Sequence, residues 1–154
     1  MKVCGILKED HIFFDLKPGD KNHVLKDFVA VLKKRRLVGD DKKILEALLK
    51  REKLGSTGLE RGLAIPHALI DEIKDSFLAL AVVKNGVNFE AVDQMPTFIL
   101  FLLLGNKDNP GLQLEILAHI CRLVKETKFA EKIKEAKSPH DICMILKDEE
   151  GKIA

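Results

Sequence analysis

Hydrophobic positions recur along this chain with a helical period at both ends and without it in the middle. Between residues 21 and 36, Val24, Leu25, Phe28, Val29 and Leu32 return at the spacing that puts them on one helix face. The preceding Lys17-Pro18-Gly19-Asp20 reads as a turn with Asp20 as N-cap, and residues 12–16 read as a short strand. Gly39 interrupts. Asp40 is placed to cap a second helix, whose apolar face of Ile44, Leu45, Leu48 and Leu49 runs to about Glu52. The middle of the chain is strand-like: residues 77–84 and 97–104 are nearly continuous apolar runs, and the second reads as a central strand covered on both faces. Between them Asn85-Gly86 predicts a hairpin turn, with residues 87–89 as the returning strand. A polar loop over 105–111 follows. The helical period then resumes over 111–125, with Leu112, Ile116, Leu117, Ile120, Leu123 and Val124 inward. A short helix over 129–136 and a last one opened by Ser138-Pro139 complete the pattern. The charged tail 147–154 reads as frayed.

Two helices, a group of strands and then more helices predict an α/β fold, a sheet with helices on both sides. The 154 residues fit one domain spanning 1–154. At this size a chain buries roughly 70% of its unfolded surface and needs no staples. The net charge is only +2, Trp and Tyr are absent, and no basic tract alternates with aromatics, which argues against a nucleic-acid surface. Lys33-Lys34-Arg35-Arg36 fits the last turn of a helix, where cations offset the dipole. The longest apolar run, 98–104, is too short to cross a bilayer as a helix, and no signal peptide opens the chain. The expectation is a cytoplasmic protein without direct membrane insertion. Cys4, Cys121 and Cys143 form no Cys-x-x-Cys pair, so reduced thiols and no metal site are expected. His11, His23 and His140 lack a spacing that suggests metal ligation.

Candidate chemistry concentrates in residues 51–67, Arg-Glu-Lys-Leu-Gly-Ser-Thr-Gly-Leu-Glu-Arg-Gly-Leu-Ala-Ile-Pro-His. Gly55, Gly58 and Gly62 permit a loop that turns backbone N–H groups toward an anion, and Ser56 and Thr57 add hydroxyls. Residues 63–67 read as a short buried strand ending at His67, with Pro66 stiffening the backbone before the imidazole. An imidazole beside anion-holding groups suits a nucleophile that accepts and passes on a phosphoryl group.

The order Arg51-Glu52-x-x-Gly55-Ser56-Thr57-Gly58 followed by Gly62-x-Ala64-Ile65-Pro66-His67 resembles the signature of the enzyme IIA domains of the bacterial sugar phosphotransferase system. The likeness is to the fructose/mannitol type, which includes nitrogen-regulatory proteins, and it covers residues 12–146. It implies a three-layer α/β/α sandwich on a mixed sheet. It also implies that His67 is the phosphorylated residue, that Arg51 is the family arginine able to hold phosphate through its planar fork, and that no cofactor takes part. Ser56 and Thr57 either donate to phosphate or satisfy their own loop. Glu52 either orients Arg51 or is exposed, and Arg61 reads as solvated.

One position departs from the family pattern. Relatives usually carry a second histidine early in the helix after the last long strand; here Gln113 stands there, on the inward side with Leu117, Ile120 and Val124. Gln113 can donate a hydrogen bond to phosphate but cannot titrate. His119, six positions later, reads as a partly exposed structural residue. The implied partners are a histidine phosphocarrier protein as donor and a downstream enzyme IIB or a regulatory protein target. A non-catalytic regulatory binding module with the same fold is the alternative. The missing second histidine favours that alternative, and the intact stretch from Arg51 to His67 opposes it.

Overall fold

The computed structural model describes residues 2–153. Five strands form one mixed sheet: β1 (Ile12–Phe13), β2 (Leu63–Ala64), β3 (His67–Ile70), β4 (Phe77–Val87) and β5 (Thr97–Asn106). β4 and β5 pair antiparallel at the centre. β1 lies parallel on the far side of β4, and β2 and β3 lie parallel to β5 along its other side. The two long apolar runs therefore are the central strands, and alternation sorts their side chains. Leu78, Leu80, Val82, Ile99, Phe101 and Leu103 enter one core; Ala79, Ala81, Val83, Leu100, Leu102 and Leu104 enter the other.

Helices cover both faces. α1 (Lys21–Lys34) and α2 (Asp41–Lys53) pack over one. α3 (Pro110–Glu126), α4 (Phe129–Ile133) and α5 (Pro139–Glu150) pack over the other, completing the α/β/α sandwich. Caps set the starts. Asp20 accepts from the His23 amide at 2.9 Å, Asp40 from Lys43 at 3.1 Å and Ser138 from Asp141 at 3.1 Å. Asn109, inside the expected loop, caps α3 and moves its start to Pro110.

Several expectations are corrected. Asn85-Gly86 is not a hairpin turn. β4 runs through it to Val87, which pairs with Thr97, and the register shifts between Val82 and Val87. Gly86 sits at φ +75° inside this irregularity, where its missing side chain lets Phe98 and Pro96 approach. The connection is the later loop 88–96. The strand expected over 63–67 is two short strands, broken at Ile65-Pro66, so His67 opens β3 instead of ending a strand. β1 keeps only Ile12–Phe13 of the expected 12–16. The C-terminal segment is not frayed at its start, because α5 continues to Glu150 and both Glu149 and Glu150 are buried.

Glu149 accepts from the Lys128 amide and from Lys132 and Lys152. Glu150 accepts from the amides of Val3 and Cys4 and from His119, tying the N-terminal turn to α3 and α5. His119 is thus a partly buried structural residue.

Candidate functional site

β3 lies at the sheet edge between the C-terminal half of α2 and the first turns of α3. The three elements enclose an open cleft of about 840 Å³, lined among others by Lys50, Arg51, His67, Leu69, Gln113 and Leu117. The sequence-predicted nucleophile, arginine and glutamine therefore converge, although 62 positions separate Arg51 from Gln113.

His67 is half-buried at the start of β3. Its Nδ1 lies 2.7 Å from the carbonyl of Ile65. A carbonyl only accepts, so Nδ1 carries the proton and Nε2 carries the lone pair. Pro66 makes this contact local and rigid: it fixes φ between the accepting carbonyl and the ring that donates to it. Burial holds the imidazole below its ordinary pKa of 6.5, against the hydrogen bond to Ile65; the Arg51 charge adds to the depression and the Glu52 charge opposes it. The neutral, nucleophilic form therefore predominates at neutral pH.

Arg51 lies in the last turn of α2. Its Nη1 donates to the carbonyl of Gly55 at 2.8 Å, and the side chain lines the cleft with His67. One arm of the guanidinium thus fixes the loop, while its other donors are not spent on that bond. The two loop hydroxyls are committed elsewhere. Ser56 donates to the carbonyl of Phe89 at 2.7 Å and accepts from the Gly58 amide at 3.0 Å. Thr57 is 4% exposed and donates its hydroxyl to Glu52, whose other oxygen accepts the Thr57 amide at 3.0 Å. Of the two roles open to these residues in sequence, the loop-satisfying one is the one this geometry displays.

Gln113 is 5% exposed, on the inward face of α3 as its spacing predicts. Its Oε1 has no hydrogen-bond partner among the described residues and lies 2.3 Å from where a side chain on Gly105 would begin. The amide is wedged against the backbone of β5 beside the cleft. Arg61 is exposed but not free, since it donates to the carbonyls of Val124 at 3.4 Å and Lys125 at 3.1 Å near the end of α3.

Two further residues shape the site with little sign of it in the sequence. Glu52 is buried and holds Thr57, with Lys21 Nζ at 2.7 Å. Lys21, the first residue of α1, is itself buried. Its only sequence signal is a cation at a helix N-terminus, where the dipole disfavours one.

A sequence-family model described as "Phosphoenolpyruvate-dependent sugar phosphotransferase system, EIIA 2" matches residues 5–149. The chain is 30% identical over 147 residues to the nitrogen regulatory protein of Bradyrhizobium diazoefficiens, covering 95% of each. It is 29% identical over 146 residues to the fructose-specific EIIABC component of Bacillus subtilis, covering 95% of this chain but only 23% of that protein. The crystal structure of the nitrogen regulatory protein IIA-Ntr from Neisseria meningitidis superposes with a TM-score of 0.83 at 29% identity, covering 94% of this chain and 98% of that one. Among the described residues no helix is long and apolar enough to cross a membrane. Motif, fold and matched length agree, and the chain belongs to the EIIA 2 family of the phosphoenolpyruvate-dependent sugar phosphotransferase system.

Proposed function

We propose that this domain carries a phosphoryl group on Nε2 of His67. The observation that carries the reading is the Nδ1–Ile65 hydrogen bond at 2.7 Å, which leaves Nε2 as the basic nitrogen beside a cleft shared with Arg51. The donor is a histidine phosphocarrier protein of the cytoplasm. The Nε2 lone pair forms the new N–P bond as the donor's N–P bond breaks, and the donor nitrogen keeps the electron pair. Nδ1 retains its proton throughout on the Ile65 carbonyl. No cofactor enters this step; it relies on alignment and on charge stabilisation of the transferring group. Arg51 supplies positive charge and the guanidinium donors not spent on Gly55, and Gln113 supplies a neutral amide donor.

The acceptor is a downstream enzyme IIB or a regulatory protein target. The fructose-specific Bacillus relative is named as an EIIABC component and the Bradyrhizobium relative as a nitrogen regulatory protein, so both outlets are represented. One feature favours a purely regulatory module: Gln113 stands where the family resemblance implies a second histidine. The intact Arg51–His67 stretch weighs more, because an exchangeable phosphate requires it and mere binding does not.

The test is incubation with phosphoenolpyruvate, the general phosphotransferase enzyme and the phosphocarrier, followed by intact-mass measurement under mildly alkaline conditions. Addition of one phosphoryl group to the parent and none to His67→Ala is expected. An unmodified parent would instead support the binding module.

A further inference from the structure

Lys21 is an unfavourable residue for its place. It opens α1, where the helix dipole repels a cation, and it is 7% exposed, where charge is costly to desolvate. A methionine of similar length would avoid the cost of burying the ammonium, but would leave Glu52 buried without its cation. What the ammonium does is hold two strands of contact that meet in the loop before His67. Its Nζ lies 2.7 Å from Glu52 Oε1, and Glu52 in turn receives both the amide and the hydroxyl of Thr57. The same Nζ lies 5.1 Å from the centre of the Phe89 ring and 3.3 Å from Glu90 Oε2. The Phe89 carbonyl accepts the Ser56 hydroxyl at 2.7 Å. Lys21 therefore grips residues 56 and 57 from both sides, through Glu52 and through Phe89. Gly55, the next residue back, carries the carbonyl that fixes one arm of Arg51.

We infer that Lys21 is a positioning residue for phosphoryl transfer: it does not touch the phosphate, but through Glu52 and Phe89 it sets the loop that orients Arg51 against His67. The inference rests on the carrier reading above. Its physical basis is that transfer depends steeply on alignment, so a displacement of an ångström in the holding groups costs up to about a hundredfold in rate. A buried ion pair contributes little net stability compared with an apolar replacement, but it does fix geometry. Removing Lys21 alone leaves Glu52 buried without its cation and so costs stability as well as geometry, which is why rate must be read on folded protein. Glu90 is the peripheral partner, since its side chain is 70% exposed.

The experiment uses the full chain with phosphoenolpyruvate, the general enzyme and the phosphocarrier, well below the melting temperature. Lys21→Met should lower kcat about tenfold or more while changing the KM for phosphocarrier by less than about twofold, because Lys21 is buried and presents almost no surface to a partner. Exchange of the Thr57 amide, followed by NMR, should speed up in the same variant as Glu52 loses its anchor. Lys21→Arg, which keeps the charge, should recover most of the rate. A Lys21→Met protein that transfers at the parent kcat, or one impaired only in KM, overturns the inference. If Lys21→Met does not fold, Thr57→Val removes the far end of the same chain of contacts and must show the same fall in kcat; parent-like transfer then overturns it. Failure of the parent to become phosphorylated would sink the carrier reading instead. In that case amide exchange alone decides the clamp, and unchanged Thr57 exchange in Lys21→Met refutes it.

Discussion

His67 and Gln113 face one cleft with opposite titration behaviour, and pH separates their roles. Burial depresses the His67 pKa, so the neutral ring persists below the usual imidazole value of 6.5. As pH falls, transfer should hold through 6.5 and be lost only as pH passes the depressed value. Gln113 does not titrate, so it adds no ionisation of its own to the parent profile. Gln113→His should add one, absent from the parent, below the usual imidazole range because the position is buried, and Gln113→Ala should slow transfer while leaving His67 reactive. Rates across pH, read beside melting temperatures, check this. Variants that match the parent at every pH and differ only in stability would make Gln113 a packing residue. At this scale the sequence was informative about types and poor about partners. The inward position of Gln113 followed from its spacing with Leu117 and Ile120. The commitment of Thr57 to Glu52, and of Glu52 to Lys21, did not follow, because contacts between α1, α2 and the loop exist only after packing.

Element boundaries failed where one local signal serves two structures. Asn-Gly marks a backbone that tolerates positive φ, which a tight turn needs and an irregular strand can also use. Here the strand uses it. Gly86 lies at φ +75°, and an added Cβ would come within 3.0 Å of Phe98 and Pro96. Gly86→Ala should therefore destabilise the fold by about 1–3 kcal/mol through backbone strain and crowding, measured by denaturant unfolding. An unchanged midpoint would contradict this account of the irregularity. The end of α5 departs from expectation for a related reason: Glu149-Glu150 has the composition of a solvated tail, but both side chains are buried and their carboxylates are taken up by hydrogen-bond donors. Hydrogen bonds from Lys152, then Lys132 and the Lys128 amide, overcome burial and bring the Glu149 pKa from 4.5 down to about 2. A depressed carboxylate contributes stability that is full above its unfolded value and is lost as pH falls toward the folded one. Glu149→Gln should thus be less stable than the parent at neutral pH, with the difference closing between pH 4.5 and about 2. A difference that is constant across this window would mean the charge of Glu149 is not what holds α5.

For the whole molecule, the layers were legible because β4 and β5 are apolar on both sides, which demands helices on both faces. The strand order was not legible, since pairing of β1 with β4 and of β3 with β5 joins segments far apart in the chain. That pairing is what makes the cleft: it sets His67 on an edge strand, with α2 on one side and α3 on the other. The motif could name His67, but only the folded arrangement distinguishes its two nitrogens. The most direct measurement is long-range proton–nitrogen NMR on the intact protein after phosphorylation by phosphoenolpyruvate, the general enzyme and the phosphocarrier. The predicted spectrum has a single phosphohistidine, His67, with phosphorus on Nε2 and the proton still on Nδ1. Phosphate on Nδ1, or on any other residue, would contradict the account.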